Sequence, residues 1–461
     1  MSVMSLLNVG ANGMSAGTFG ANVASQGASN VATEGYTRRI ATLAPVGPPP
    51  AGGNGARAVG SQRVVDSFVE KRLLGVRASA GEAAARAQAL TTVDEIFGNS
   101  GLGVQLDEFQ NAVAEMSTRP GEFAPRVAVL STADALARAF NEASRRVTEA
   151  RSDVNGKLAD EVGTINERLT QIAQLGTEIS KAEIDGREAS DLRDRRDQYV
   201  RDVSTQISIT TIAQDDGQLT VLLGGRTELV SRDGRANLLS ASADPTTGDM
   251  RVTAIQAGAA VDVTSYASGG TIAGLVSARD GALTTARTRL DQLAFDVASA
   301  YNAVQSTGFD LDAGTGNDLF DVPATATGAA ELISLSTSVA GQPRRLAAAQ
   351  DATALPGDNR NALAMQALAS STVASSGTRT ASDAFADVGT EIGTLVRTAL
   401  RDRDYTDDAK VQIENLRSSI SGVSLDEEML NLTRYQRAYQ GSLEVVRVAD
   451  EMLSTLLALR R

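Results

Sequence analysis

The chain has 461 residues, a formal net charge of −13, 4% aromatic residues, and no Cys, His or Trp. That length holds about two to four domains, and the missing Cys and His remove the thiolate nucleophile, the imidazole base and the commonest metal ligands together. The acidic balance excludes a nucleic-acid binder, whose affinity comes from clustered Lys and Arg that neutralise phosphates.

With so few aromatics the core must rest on Ala, Leu, Val and Ile, which suits close helix packing. Met1 to Leu7 carries no basic stretch and no long apolar run, so it is not a standard secretory signal. No segment approaches the roughly 18–20 apolar residues that span a bilayer. On these grounds alone the expected location is the cytosol, with neither membrane nor nucleic acid as a partner.

The first expected element is an amphipathic helix from about Leu6 to Gln26. Leu7, Met14, Ala21 and Ala28 fall seven apart, with Ala11, Thr18 and Ser25 as companions. Gly10, Gly13, Gly17 and Gly20 weaken it, each by about 0.8–1 kcal/mol against Ala. Small residues also let a partner helix approach closely. The Pro- and Gly-rich stretch 47–55 reads as turn and linker.

Helical character returns from about Val65 to Phe97, breaks at Pro120 and Pro125, and then runs to about Ala182. There Leu158, Val162, Ile165, Leu169, Ile172 and Ile179 recur in steps of four and three, with Gly176 at the vacant place. That is the period of a bundle or coiled-coil seam. The run from Asp191 to Asp197, which mixes acids with Arg193, Arg195 and Arg196, reads as a solvated helix face with local ion pairs.

Near Ile207 the period changes to two. Ile207, Ile209 and Thr211 alternate, Asp215-Asp216-Gly217 supplies a turn, and Leu219, Val221 and Leu223 alternate again. This predicts a hairpin. Further strands are expected at Met250–Ala254 and Val261–Val263, a helix at Ile272–Gln305, and a loop-rich stretch to about Asn359. Asp310-Leu311-Asp312-Ala313-Gly314, with Asp318 and Asp321, lacks the carboxylate-rich middle and terminal Glu of a calcium loop. A solvated turn is the expectation, and no metal or cofactor is expected.

Ala381–Val423 is helical again. In the last segment Leu425, Leu432, Tyr439, Val446 and Leu453 recur every seven residues, with Met429, Leu443 and Leu457 as companions. Gln436 and Asp450 interrupt that seam, as polar residues that fix register do. The layout is helix, bundle, β insert, bundle, helix, with two ends of matching type. Taken alone, the terminal heptads favour an internal coiled coil of an ordinary cytosolic helical protein.

Two end segments carry a resemblance. Asn30-Val31-Ala32-Thr33-Glu34-Gly35-Tyr36-Thr37-Arg38-Arg39 resembles the N-terminal motif of flagellar rod, hook and hook-associated proteins. Ser421 to Glu428, with Asn431-Leu432 and Tyr435 to Tyr439, resembles their shared C-terminal motif. Three interior blocks are similar to the hook-associated protein 1 family of that superfamily: Asp191 to Asp197, Gly269 to Leu275 followed by Arg287 and Leu290 to Ala294, and Asp358 to Ala362. The chain departs from the family in having Glu34 where a Pro precedes Gly-Tyr. It is also shorter than many members, a shortfall expected between Asp321 and Leu355.

The resemblance implies a structural subunit of the flagellum, a junction layer between hook and filament, and not an enzyme; a hook or rod subunit is the alternative. It implies a mainly α, discontinuous multidomain fold with a β insert. The N- and C-terminal helices (1–60 and 425–461) would pair as a coiled coil. A helical bundle would occupy 61–205 and 356–424, and an outer β-rich domain 206–355, including the helix at 272–305. Implied partners are like subunits in a ring, the hook protein, a second junction protein, and an export chaperone at the C-terminal helix. The implied location is the extracellular flagellum, reached without a cleaved signal through the flagellar export apparatus.

The residues expected to make subunit contacts are Leu7, Met14, Ala21, Asn30, Gly35, Tyr36 and Arg38 at one end. At the other they are Leu425, Met429, Leu432, Tyr439, Leu443, Val446, Leu453 and Leu457. Tyr36 also fits a plain packing role under a helix. A terminal helix pair has only one narrow seam. Burying a large aliphatic side chain contributes roughly 1.5–3 kcal/mol, and ordering each residue costs about 1–2 kcal/mol. Residues 1–60 and 425–461 are therefore expected to be mobile in a lone subunit.

Overall fold

A computed structural model describes residues 2–46, 54–98, 100–256 and 259–458. Of the turn and linker stretch expected at 47–55, residues 47–53 lie outside these residues. The elements are α1 (Val3–Ser29), β1 (Arg39–Pro45), β2 (Ala56–Arg63), α2 (Ser67–Gly98), α3 (Leu102–Thr118), α4 (Phe123–Ala182) and α5 (Ser190–Gln206). Then come β3 (Ile209–Ala213), β4 (Leu219–Leu223), β5 (Thr227–Val230), β6 (Leu239–Ala243), β7 (Met250–Gln256), β8 (Ala259–Asp262), α6 (Gly270–Ser277) and α7 (Thr284–Thr307). The chain finishes with β9 (Phe320–Asp321), α8 (Ala329–Leu332), β10 (Ser334–Leu335), α9 (Arg360–Ala367), α10 (Ala381–Ser421) and α11 (Leu425–Ala458). The fold is mainly α with a β-rich region, as the sequence predicts.

Two compact units divide the chain. One gathers residues 1–82, 159–272 and 405–461; the other gathers 83–158 and 273–404. Parts of α2, α4, α6 and α10 fall in each.

In the second unit three aromatic rings pack together. The Phe109 ring meets Tyr301 edge-on at 4.7 Å and Phe320 at 5.8 Å between centroids, all three fully buried. Asparagines tie its irregular segments to helices, as buried backbone groups require. The Asn302 Oδ1 accepts from the Leu319 and Phe320 amides, both at 2.9 Å. Asn361 donates to the Ala347 carbonyl at 2.6 Å and Asn359 to that of Ser117 at 2.7 Å. Arg126, fully buried, donates to the carbonyls of Pro120 and Leu346 at 2.7 and 2.6 Å. Burial lowers its pKa to about 10.

In the first unit, β3 and β4 form the expected hairpin, with Ile209 opposite Leu223 and Ala213 opposite Leu219. Gly217 turns it at φ +82°, the left-handed region that favours glycine. The unit holds two three-stranded antiparallel sheets, β3-β4-β5 and β6-β7-β8. Asn166 of α4 clamps the start of β6 through both its amide atoms, each at 2.8 Å to the Leu239 backbone. The α4 seam residues Val162, Ile165, Leu169, Ile172 and Ile179 are buried in this unit, and Leu158 is buried in the other.

Three local expectations change. The helix expected over 272–305 is interrupted by a π-helical segment, Ala278–Leu283, which buries Ala278, Arg279 and Leu283 together. Residues 39–45 and 56–63 flank the predicted linker as an antiparallel pair of strands, β1 with β2, where no strand was expected. Its strands mix Ala and Gly with Arg, which hides the two-residue alternation. Helix α3 also follows Gly101, although no helix start signal stands out there.

Candidate interaction surface

Helix α1 lies along α11 on a face made of small residues. Its inward positions are Gly10, Gly13, Gly17, Gly20, Ala24 and Gly27, spaced alternately three and four apart. A Cβ at Gly17 would stand 3.1 Å from the Tyr439 backbone nitrogen and 3.2 Å from the Tyr435 carbonyl. At Gly10 it would meet the Val446 side chain at 2.5 Å, at Gly13 the Ser442 hydroxyl at 2.3 Å, and at Gly20 the Tyr435 ring at 2.4 Å. The glycines that cost helix propensity therefore form the seam, because only a missing side chain allows this approach.

The predicted stripe on α1 is displaced from that seam. Leu7, Met14 and Ala21 are half-buried at its flank, and the companions Ala11, Thr18 and Ser25 are exposed. On α11, Tyr439 and Val446 meet the α1 glycines. Leu425, Met429, Leu443, Leu453 and Leu457 are exposed, and Leu432 is half-buried. With Leu430, 71% exposed, and Leu456, 54% exposed, they leave an uncovered apolar surface along α11. Among the described residues of α11, only Glu428 and Ala449 are buried.

The segment between α1 and β1 is fixed from three sides. Asn30 stops α1: its amide donates to the Gln26 and Gly27 carbonyls, and its side chain to the Gln26 carbonyl at 2.9 Å. Gly35 turns the chain at φ +82°. The Arg39 guanidinium covers the Tyr36 ring at 4.7 Å, and burial raises the Tyr36 pKa. The Thr37 amide donates to Asp194 Oδ2 at 3.3 Å. Arg38 donates its amide to the Ser421 carbonyl at 2.8 Å, accepts from the Val64 amide at 2.9 Å, and pairs its guanidinium with Glu427.

Glu427 also stands at the start of α11, whose first turn carries Asp426, Glu427 and Glu428, well placed for the helix dipole. The Glu428 side chain packs on Gly27, with its Cδ 3.0 Å from a Cβ built there. Burial raises its pKa.

The acidic run of α5 is not a solvated face. Asp191, Asp194 and Asp197 lie three apart, on one side of the helix. Arg39 pairs with Asp191 at 2.6 Å and with Asp194 at 3.0 Å. Arg63 pairs with Asp194 at 2.9 Å, Asp197 at 2.8 Å and Glu188 at 2.9 Å. Asp194, Arg196 and Arg201 are buried. Burial alone would raise the Asp197 pKa, but Arg63 and Arg196 outweigh it and lower it. Arg201 and Arg417 both reach Glu70 at the start of α2, at 3.6 and 2.6 Å. The three-residue acid spacing was the available signal for this network; the partner arginines lie more than 130 residues away.

The acidic turn near Asp310 is closed on itself. Asp310 Oδ1 accepts from the Asp312 and Gly314 amides at 2.8 and 2.9 Å, and Asp312 pairs with Arg344. Among the described residues no group of three or more acidic side chains could hold a metal ion, and no helix is long and apolar enough to cross a membrane.

The family described as Flagellar hook-associated protein FlgK helical domain matches residues 90–320. The family described as Flagellar basal body rod FlgEFG protein C-terminal matches residues 417–459. The Flagellar hook-associated protein 1 of Escherichia coli (strain K12) is 24% identical over 545 residues, covering 99% of this chain and 100% of that one. That of Bacillus subtilis (strain 168) is 26% identical over 473 residues, 93% of each. The solved flagellar hook junction protein FlgK from Burkholderia pseudomallei shares the fold with a TM-score of 0.68 at 16% identity, across 76% of this chain and 100% of that one.

Proposed function

Because the chain belongs to the flagellar hook-associated protein FlgK family, we propose that its terminal helix pair is the surface on which it joins its neighbours at the hook–filament junction. The chain is a structural subunit of the bacterial flagellum and not an enzyme. The observation that carries the proposal is the uncovered stripe on α11. Leu425, Met429, Leu430, Leu443, Leu453, Leu456 and Leu457 all stand exposed, whereas α1 spends only a glycine face on its partner. Large apolar side chains exposed in this number along one helix mark an interaction site.

In this reading residues 1–60 and 425–461 form the inner layer, 61–205 and 356–424 the bundle, and 206–355 the outer domain. Like copies cover the stripe laterally, the hook protein lies below and a second junction protein above. Before export through the flagellar apparatus a chaperone shields the same stripe, and the subunit acts outside the cell. Leu7, Met14 and Ala21 flank the seam and add to the contact.

Removing residues 440–461 takes away Leu443, Leu453, Leu456 and Leu457 together. The shortened chain is expected to keep the far-ultraviolet circular dichroism of its bundle, to fail to bind isolated hooks, and to leave cells with hooks but no filaments. A shortened chain that still joins hook to filament would overturn the proposal.

A further inference from the structure

We infer that Gly35–Arg39 is a clasp that commits each α1 to the α11 of its own chain and so excludes exchange of α1 between neighbouring copies. The seam cannot make that choice itself. Helix α1 carries no charged residue between Val3 and Ser29, and its glycine face fits any copy of α11 equally. Where identical subunits crowd together, such an element is open to swapping.

The segment that follows supplies the missing identity. Arg38 holds the elbow between α10 and α11 at both edges, through its amide to Ser421 and its guanidinium to Glu427. Its neighbours fix the same segment to α5: the Thr37 amide and the Arg39 guanidinium both bind Asp194. Asp194 also receives Arg63 from β2. The elbow and α5 are thus joined through five residues that begin just beyond α1. Residues 30–37 reach at most about 29 Å when fully extended. With the clasp closed, α1 lies beside its own α11 and is tethered short of a distant copy.

The inference deepens the assembly reading, but its test does not require assembly. The natural chain has no Cys, so Gly13→Cys with Ser442→Cys introduces the only two thiols. A Cβ at Gly13 stands 3.1 Å from that of Ser442, close to the roughly 3.5–4.5 Å of a disulfide. Oxidised in concentrated solution, the pair is expected to link within single chains, seen on a denaturing gel without reductant. Adding Glu427→Arg is expected to raise the fraction linked between chains by roughly three- to tenfold. Adding Arg38→Glu as well should restore the single-chain product, which a merely structural loss would not do.

Gly10→Cys with Val446→Cys provides a second reporter should the first pair disturb the seam. Interchain links with the clasp intact, or no change on charge reversal with either reporter, would overturn the inference while leaving hook binding as a separate question. Failure of both pairs to link within a chain would also overturn it.

Discussion

Asp194 gathers more of the first unit than any single aliphatic residue can. It binds the Thr37 amide and two guanidinium groups from different strands while buried. Removing one partner of a buried ionic group leaves the others uncompensated, which costs about 3–5 kcal/mol. Asp194→Ala is therefore expected to destabilise the first unit by about that much in urea titration. Asp191→Ala, whose carboxylate is 79% exposed, should cost far less. Equal effects would refute the network. The acids at 191, 194 and 197 were visible in the sequence, yet they read as solvent-facing. Their spacing placed them on one face; nothing local said that Arg39 and Arg63 would cover it. Gly35 and Arg38 were legible as parts of one motif, but the elbow that Arg38 grips lies at the other end of the chain.

At the scale of elements, the terminal helices show that the largest side chains of a repeat need not mark the face that packs within the chain. Seven-residue spacing in α1 was real, and its large members Leu7 and Met14 drew attention. The buried face instead follows the glycines, because close approach rewards the absence of a side chain. Gly17 and Gly441 separate the two effects. Ala in place of either should favour the helix by about 0.8–1 kcal/mol. At Gly441 nothing lies within 4 Å of the new Cβ, whereas at Gly17 it meets α11 backbone that cannot rotate away. Gly441→Ala is expected to preserve or strengthen hook binding and Gly17→Ala to weaken it, measured by cosedimentation with isolated hooks. The long seam of α4 and the β3–β4 hairpin were legible because large apolar side chains repeat there at one clear period. The β1–β2 hairpin was not, because Ala, Gly and Arg blur the alternation.

For the whole molecule, apolar burial is uneven. Along α4, Leu136, Phe140, Leu158, Ile165 and Leu169 are wholly buried, so this helix has a core to rest on. On α1 the buried apolar residues are Ala16, Val23 and Ala24, apart from glycine, and on α11 only Ala449 among the described residues. A buried Val contributes roughly 1.5–3 kcal/mol, while ordering each residue of two long helices costs about 1–2 kcal/mol. The pair therefore depends on its clasp and on neighbours that cover α11. The most direct measurement is amide hydrogen exchange on the free subunit and on the subunit bound to hooks. We expect residues 3–29 and 425–458 to exchange quickly when free and slowly when bound, with 129–179 slow in both. Terminal helices as well protected in the free subunit as in the bound one would contradict folding upon assembly.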